Sequence, residues 1–353
     1  MMYEEHTYFI KRCIQLAQLG AGHVSPNPMV GAVLVHNNRI IGEGYHEKYG
    51  EAHAEANCIN SVNQAYKNLE KSVLYVSLEP CVHYGKTPPC TDLIIRNKIP
   101  KVVIGCKDVY TEVNGKGIEK LKQNGIDVIV GVLENECKNL NKAFFTSQSL
   151  QRPYLILKWA QTADGKIAGT SNNRLLISGE IANRLVHKWR AETAGILIGT
   201  NTAETDNPEL TNRLWNGNSP MRLIIDLDLR LSHDLKIFKN DAPTIIFNLQ
   251  KKSSEFHDPL EAQVYYYQIS DRDKTIEEIL KACYELKIQS ILIEGGRKLL
   301  QSFIDKNLWD EARIITNTKM FIGEGLESPG FWNKNLIRDF SLGDYLISVY
   351  KSK

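Results

Sequence analysis

No stretch of this 353-residue chain is apolar for long enough to cross a bilayer. Residues 1–11 carry Glu4, Glu5 and Lys11 and lack the apolar centre of a secretion signal. Charge of one sign is scarce in excess: 43 Lys and Arg stand against 41 Asp and Glu, a net +2 that argues against a general polyanion binder. No Gly-x-Gly-x-x-Gly follows any strand-like run, which argues against a Rossmann nucleotide site. Low-complexity segments and internal repeats are missing as well. The seven cysteines are odd in number and scattered, so they do not form a disulfide framework. Together these absences predict a protein of the reducing cytoplasm that engages neither nucleic acid nor membrane. What is present is ordinary globular material, 42% apolar and 24% charged, long enough for two cores.

One constellation stands out: His53-Ala54-Glu55, then Pro80-Cys81, then Cys90. One imidazole and two thiolates make a three-ligand site that suits zinc and leaves a fourth position for water. Zinc brings the pKa of such a water towards neutrality, and a carboxylate beside the metal but not bound to it can shuttle protons. Positions i and i+2 do not share a helix face. His53 and Glu55 therefore work together only in the first turn of a helix, both aimed past its N-terminus. His-x-Glu followed by Pro-Cys and a further Cys is the signature of zinc deaminases. A core histidine with two unrelated buried cysteines is the plainer alternative, and Pro80 in its place before Cys81 speaks against it.

The insert between the cysteines, Val82-His83-Tyr84-Gly85-Lys86-Thr87-Pro88-Pro89, is longer than the usual two residues. Its histidine and lysine at the mouth of the site suggest a substrate bearing phosphate. Around these motifs the first half alternates strand and helix periods. Helices are expected over 3–20, 52–66, 91–97, 116–123 and 134–145, and strands over 29–36, 39–45, 72–78, 101–105 and 127–130. That order implies a central sheet covered on both faces. A polar stretch ending at Pro153 marks a boundary, placed at 1–147 and 148–353.

In the second half, apolar runs near 153–160, 194–199, 222–227, 244–248, 290–293 and 312–315 predict another α/β domain. Ile293-Glu294-Gly295-Gly296-Arg297 reads as strand, glycine turn, helix, an arrangement that lets backbone N–H groups approach a phosphate.

The stretch Ser25-Pro26-Asn27-Pro28-Met29-Val30-Gly31, with Gly42-Glu43-Gly44-Tyr45-His46, His53-Ala54-Glu55 and Leu78-Glu79-Pro80-Cys81 through Cys90, resembles the riboflavin-biosynthesis deaminase family. Its long Cys spacing is the one seen here. Leu157-Lys158, Thr162-Ala163-Asp164-Gly165-Lys166, Arg190, Asp206-Asn207-Pro208, Leu210-Thr211-Asn212-Arg213 and Glu294-Gly295-Gly296 resemble the reductase half of the same family. The resemblance implies a cytidine-deaminase-like three-layer α/β/α domain followed by a dihydrofolate-reductase-like α/β domain. It implies two reactions on one phosphoribosylated pyrimidine: deamination, then NADPH reduction of the ribose C1′ to a ribityl chain. It also implies a homo-oligomer, dimer or tetramer.

Roles carried over from the resemblance fall on named positions. His53, Cys81 and Cys90 would bind Zn2+, Glu55 would shuttle protons, and Asn27, His83 and Lys86 would contact the deaminase substrate. Lys158, Arg190, Asp206, Leu210, Arg213 and Glu294 match reductase substrate positions. Ala160, Thr202, Asp206, Gly295, Gly296 and Arg297 match cofactor positions. Two departures stand out: Leu176 where the family often has tryptophan, and Asp108-Val109-Tyr110 where it often reads Asp-Pro-Asn. Two rival readings remain: a deaminase of free bases, nucleosides or tRNA with a fused binding domain, and a structural zinc scaffold with His83 as fourth ligand.

Overall fold

The computed structural model describes residues 2–63, 66, 69–85, 88–170, 175–239, 241–253 and 264–352. The chain divides into two compact units, Met1–Leu150 and Gln151–Lys353.

The first unit is built on a five-stranded sheet in the order β2-β1-β3-β4-β5. Strands β1 (Gly31–His36) and β2 (Arg39–Tyr45) form an antiparallel hairpin. Its turn is Asn37-Asn38, both at positive φ, a backbone that asparagine tolerates and that matches the twist of the flanking strands. Strand β1 also pairs antiparallel with β3 (Ser72–Leu78), and β4 (Lys101–Cys106) and β5 (Asp127–Val130) continue parallel. Strand side chains alternate between faces. Leu34, Leu74 and Val102 pack against Ala54 of α2 (Ala54–Asn60), Ile94 of α3 (Cys90–Arg96) and Leu121 of α4 (Lys116–Gln123). Val33, Tyr75 and Val103 pack against Phe9 and Cys13 of α1 (Met2–Gln18) and Cys137 of α5 (Glu134–Leu140). The result is the three-layer α/β/α arrangement.

Two expectations are corrected. Helix α2 ends at Asn60 rather than near 66. The final helix of the unit breaks at Asn141, whose buried amide exchanges two 2.8 Å hydrogen bonds with the backbone of Met29. Helix α6 (Lys142–Leu150) then runs through the polar Thr146–Ser149 stretch to the end of the first compact unit.

The second unit holds a nine-stranded sheet in the order β11-β10-β9-β8-β12-β6-β13-β16-β15. Strands β6 (Tyr154–Thr162), β8 (Gly195–Gly199), β9 (Met221–Ile225), β10 (Thr244–Asn248), β11 (Val264–Gln268), β12 (Ser290–Ile293) and β13 (Glu311–Asn317) run parallel. The hairpin β15 (Lys334–Leu342) and β16 (Tyr345–Ser352) adds antiparallel at one edge. Leu157, Leu197, Leu223 and Ile293 share one buried cluster with Ile279, Cys283 and Phe303. A small two-stranded pair, β7 (Lys166–Ala168) with β14 (Leu326–Glu327), lies apart from the main sheet. Among the described residues, no helix is long and apolar enough to cross a membrane.

Candidate active sites

In the first unit His53 caps α2 in an extended conformation, immediately before the first helical residue. Glu55 therefore lies in the first turn, as the shared work of the two side chains requires. Cys81 follows the end of β3, and Cys90 opens α3 after the extended Pro89. The strand end and two helix starts bring His53, Cys81 and Cys90 together, with ligand atoms all within 4.8 Å of one another. His53 Nδ1 lies 3.5 Å from Cys81 Sγ and 3.4 Å from Cys90 Sγ. A tetrahedral ion bound at about 2.3 Å to sulfur and about 2.0 Å to nitrogen would hold such an N–S pair about 3.5 Å apart, so the residues fit zinc. Among the described residues no fourth His, Cys, Asp or Glu joins the group, and His83 is not part of it. That leaves the open position of a catalytic site rather than the closed shell of a structural one.

The electrostatics agree with this arrangement. Cys81 takes hydrogen bonds from the Cys90 thiol and, at 3.3 Å, from the Cys90 amide at the start of α3. With His53 beside it, Cys81 is held well below the usual thiol range despite burial, and Cys90 is pushed up as the pair shares a proton. Glu55 is buried, and burial with the nearby Cys81 raises its pKa, the direction suited to a group that takes up and returns a proton.

His46 has no assigned role in the sequence reading and proves to be buried against the site. Its ring meets the His53 ring edge-on at 5.3 Å, with Nδ1 3.0 Å from the Ala52 carbonyl and Nε2 3.1 Å from the Asn27 amide nitrogen. A proton on Nδ1 and a lone pair on Nε2 satisfy both bonds, which orients Asn27. The Tyr45-His46 pair at the end of β2 was the signal available in the sequence. His83 packs against Tyr110, and its buried Nδ1 has no hydrogen-bond partner among the described residues. Lys86 lies outside the described residues.

In the second unit a cleft of about 950 Å³ is lined by Lys158, Ala160, Arg190, Thr202, Asp206 and Arg213, with Glu294 through Arg297. Leu210 lines a smaller adjoining recess with Arg190, Asp206 and Arg213. Glu294 follows β12, and Arg190 comes from the last turn of α7 (Glu180–Ala191). The Arg190 guanidinium donates to both Glu294 oxygens at 3.1 and 2.9 Å, and Lys158 Nζ lies 3.7 Å away. Burial favours the neutral acid, but Arg190 and Lys158 outweigh it and hold the Glu294 pKa down at about 2. The Arg213 amide donates to His187 Nδ1 at 2.9 Å, so His187 is neutral there; burial, Arg190 and Arg213 lower its pKa to about 4. Sequence reasoning passed over His187, and nothing in its local pattern marked it.

Gly296 caps α10 (Arg297–Asp305), and its N–H bonds Thr202 Oγ1 at 2.9 Å. A Cβ at Gly296 would lie 3.1 Å from that oxygen, so glycine permits the close approach of α8 (Thr200–Asp206) to the turn. Arg297 and Lys298 are exposed in the first turn of α10, two cations beside a helix start that favours an anion. Leu176 is 71% exposed in the cleft lining.

Comparison with known proteins joins the two sites. The family model described as cytidine and deoxycytidylate deaminase zinc-binding region matches residues 3–106, and that of the RibD C-terminal domain matches 153–331. The riboflavin biosynthesis protein RibD of Aquifex aeolicus is 39% identical over 328 residues, covering 92% of this chain and 90% of that protein. The RibD of Actinobacillus pleuropneumoniae is 37% identical over 91% of this chain and 86% of its own. A crystal structure of a diaminohydroxyphosphoribosylaminopyrimidine deaminase/5-amino-6-(5-phosphoribosylamino)uracil reductase from Thermotoga maritima superposes with a TM-score of 0.89 at 36% identity, each chain covered completely.

Proposed function

The chain belongs to the RibD family, bifunctional enzymes of riboflavin biosynthesis with a zinc-binding deaminase domain and a dihydrofolate-reductase-like reductase domain, and from that premise we propose its substrates, cofactors and site residues. The deaminase domain converts 2,5-diamino-6-(5-phosphoribosylamino)pyrimidin-4(3H)-one to 5-amino-6-(5-phosphoribosylamino)uracil. The reductase domain then converts the ribosyl group to ribityl. The observation that carries the reading is the three-ligand group His53, Cys81 and Cys90 with buried Glu55 beside it and no fourth protein ligand among the described residues.

His53, Cys81 and Cys90 would hold Zn2+, which when bound supplies an acidified water at neutral pH. Glu55 accepts a proton from water, passes it to the ring nitrogen next to C2, and returns one to the departing 2-amine. Water oxygen replaces nitrogen at C2, and ammonia leaves. Asn27, oriented by His46, and His83 and Lys86 from the insert bind the substrate around this exchange.

NADPH, held by Ala160, Thr202, Asp206 and the Gly295-Gly296-Arg297 turn, supplies the hydride of the second reaction. The C1′–O4′ bond breaks, C1′ receives the hydride, and the oxygen becomes a hydroxyl with one proton. Lys158, Arg190, Asp206, Leu210, Arg213 and Glu294 hold the phosphoribosyl group, with Arg213 and Arg190 as the cations suited to its phosphate. The odd and scattered set of seven cysteines supports a cytoplasmic enzyme, and the family resemblance supports a homo-oligomer.

Ammonia release and NADPH oxidation, followed separately with and without a zinc chelator, test the scheme. Ammonia must precede NADPH loss, and the chelator must stop both unless deaminated product is supplied. No ammonia from the diaminopyrimidinone would refute the substrate assignment.

A further inference from the structure

Glu79 precedes the Pro80-Cys81 metal-ligand turn and is only 4% exposed. Its carboxylate accepts four backbone N–H groups. Oε2 takes those of Asp108 and Gly115 at 3.2 and 3.0 Å; Oε1 takes those of Gly117 and Ile118 at 3.0 and 3.2 Å. The last two are in the first turn of α4, where a buried anion meets the positive end of the helix. A second contact locks the same joint: a Cβ on Gly117 would lie 2.3 Å from the Pro80 carbonyl oxygen, so only glycine lets the helix come this close.

The segment tied down in this way is 107–115. Asp108 is buried, and its Oδ1 accepts the Tyr110 N–H at 2.8 Å. The Tyr110 ring in turn packs edge-on against His83, centroids 5.8 Å apart. His83 belongs to the insert between the two candidate metal-ligand cysteines, and its buried Nδ1 finds no hydrogen-bond partner among the described residues. Val109 has no ring to fix the backbone, so the anchoring carboxylate sets the position of this segment.

We propose that Glu79 is a positioning residue for deamination: it fixes residues 107–115 as one wall of the substrate pocket, so that Tyr110 holds His83 ready for the bound pyrimidine. The proposal rests on the deaminase reading of the first unit.

Glu79→Gln keeps the shape but turns an NH2 towards N–H donors, so two of the four bonds are lost. Each charge-assisted bond is worth roughly tenfold or more in an equilibrium constant, so the deaminase KM rises about tenfold or more while kcat stays within about threefold. Zinc per chain and reductase turnover on deaminated product stay at the wild-type level. Tyr110→Ala raises KM in the same way, and the double variant is no worse than Glu79→Gln alone, because both act through one contact. Loss of zinc, a fall in kcat without a rise in KM, or additive effects of the two changes would overturn the proposal. If Glu79→Gln does not accumulate folded, Tyr110→Ala decides, and an unchanged KM refutes the role. A wild-type enzyme that releases no ammonia from the substrate overturns the deaminase reading itself, which the Glu79 variants cannot mimic.

Discussion

Replacing Arg190 by Met tests whether the ion pair at the centre of the reductase cleft holds that unit together as well as shaping its site. The substitution keeps an unbranched apolar stem and removes the guanidinium that bonds both Glu294 oxygens. Glu294 has its pKa moved from an ordinary 4.5 to about 2. At about 1.4 kcal/mol per pH unit, that corresponds to roughly 3 kcal/mol of stability at neutral pH. The sign follows from the direction: a depressed carboxylate pKa stabilises fully above about 4.5, and the contribution fades as pH falls towards 2. Lys158, at 3.7 Å, is the remaining cation and a weaker partner. All five tryptophans, Trp159, Trp189, Trp215, Trp309 and Trp332, belong to the second unit, so selectively excited tryptophan fluorescence in urea reads its unfolding alone. At about 2–4 °C per kcal/mol for a unit of this size, the variant should melt roughly 6–12 °C lower at pH 7. The gap should narrow as the buffer is taken below pH 4.5. Arg190→Met with Glu294→Gln should recover part of the loss, since the uncompensated buried charge is then gone. A difference that does not shrink in acid, or one under about 1 kcal/mol at pH 7, would refute the reasoning, because breaking a buried pair costs about 3–5 kcal/mol.

Glu55→Gln should retain one zinc per chain by elemental analysis yet lose deamination by about 10²–10⁴-fold, the usual worth of a general acid–base group, with reduction of supplied product unchanged. Loss of both activities in a folded variant would contradict separate sites. His187, with its pKa lowered to about 4, predicts a loss of second-unit stability as pH falls from 6.5 towards 4, because the unfolded state takes the proton first. Fluorescence-detected melts of His187→Gln should be flatter across that window. Gly117→Ala should damage the deaminase unit selectively, since its Cβ would meet the Pro80 carbonyl, and tryptophan-reported melting should stay where it is.

The candidate metal site was legible because all its members sit in short, chemically unusual runs. His53 and Glu55 are two residues apart, and Pro80-Cys81 and Cys90 flank one short insert. Their helix-start placement followed from the requirement that both side chains aim past one N-terminus. The strands Arg39–Tyr45 and Ser72–Leu78 could be read to the residue because clear breaks bound them, the Asn37-Asn38 turn before the first and Glu79-Pro80 after the second. Strand β15 could not, since most of its residues are exposed and it presents no apolar run, only a pairing partner in β16. The same limit governs the reductase cleft. Arg190 and Glu294 are 104 residues apart, each an unremarkable charge in its own segment, and only resemblance pointed to them. Their pairing depends on β12 running beside β8 and β6, a neighbourhood that local pattern does not encode. Glu79 is the intermediate case. It stood in a quoted motif beside a metal ligand, but its four partners lie between residues 108 and 118, and what it does follows from where α4 begins. Local chemistry marks the residues that could meet a metal, whereas tertiary contact selects the residues that hold them in place.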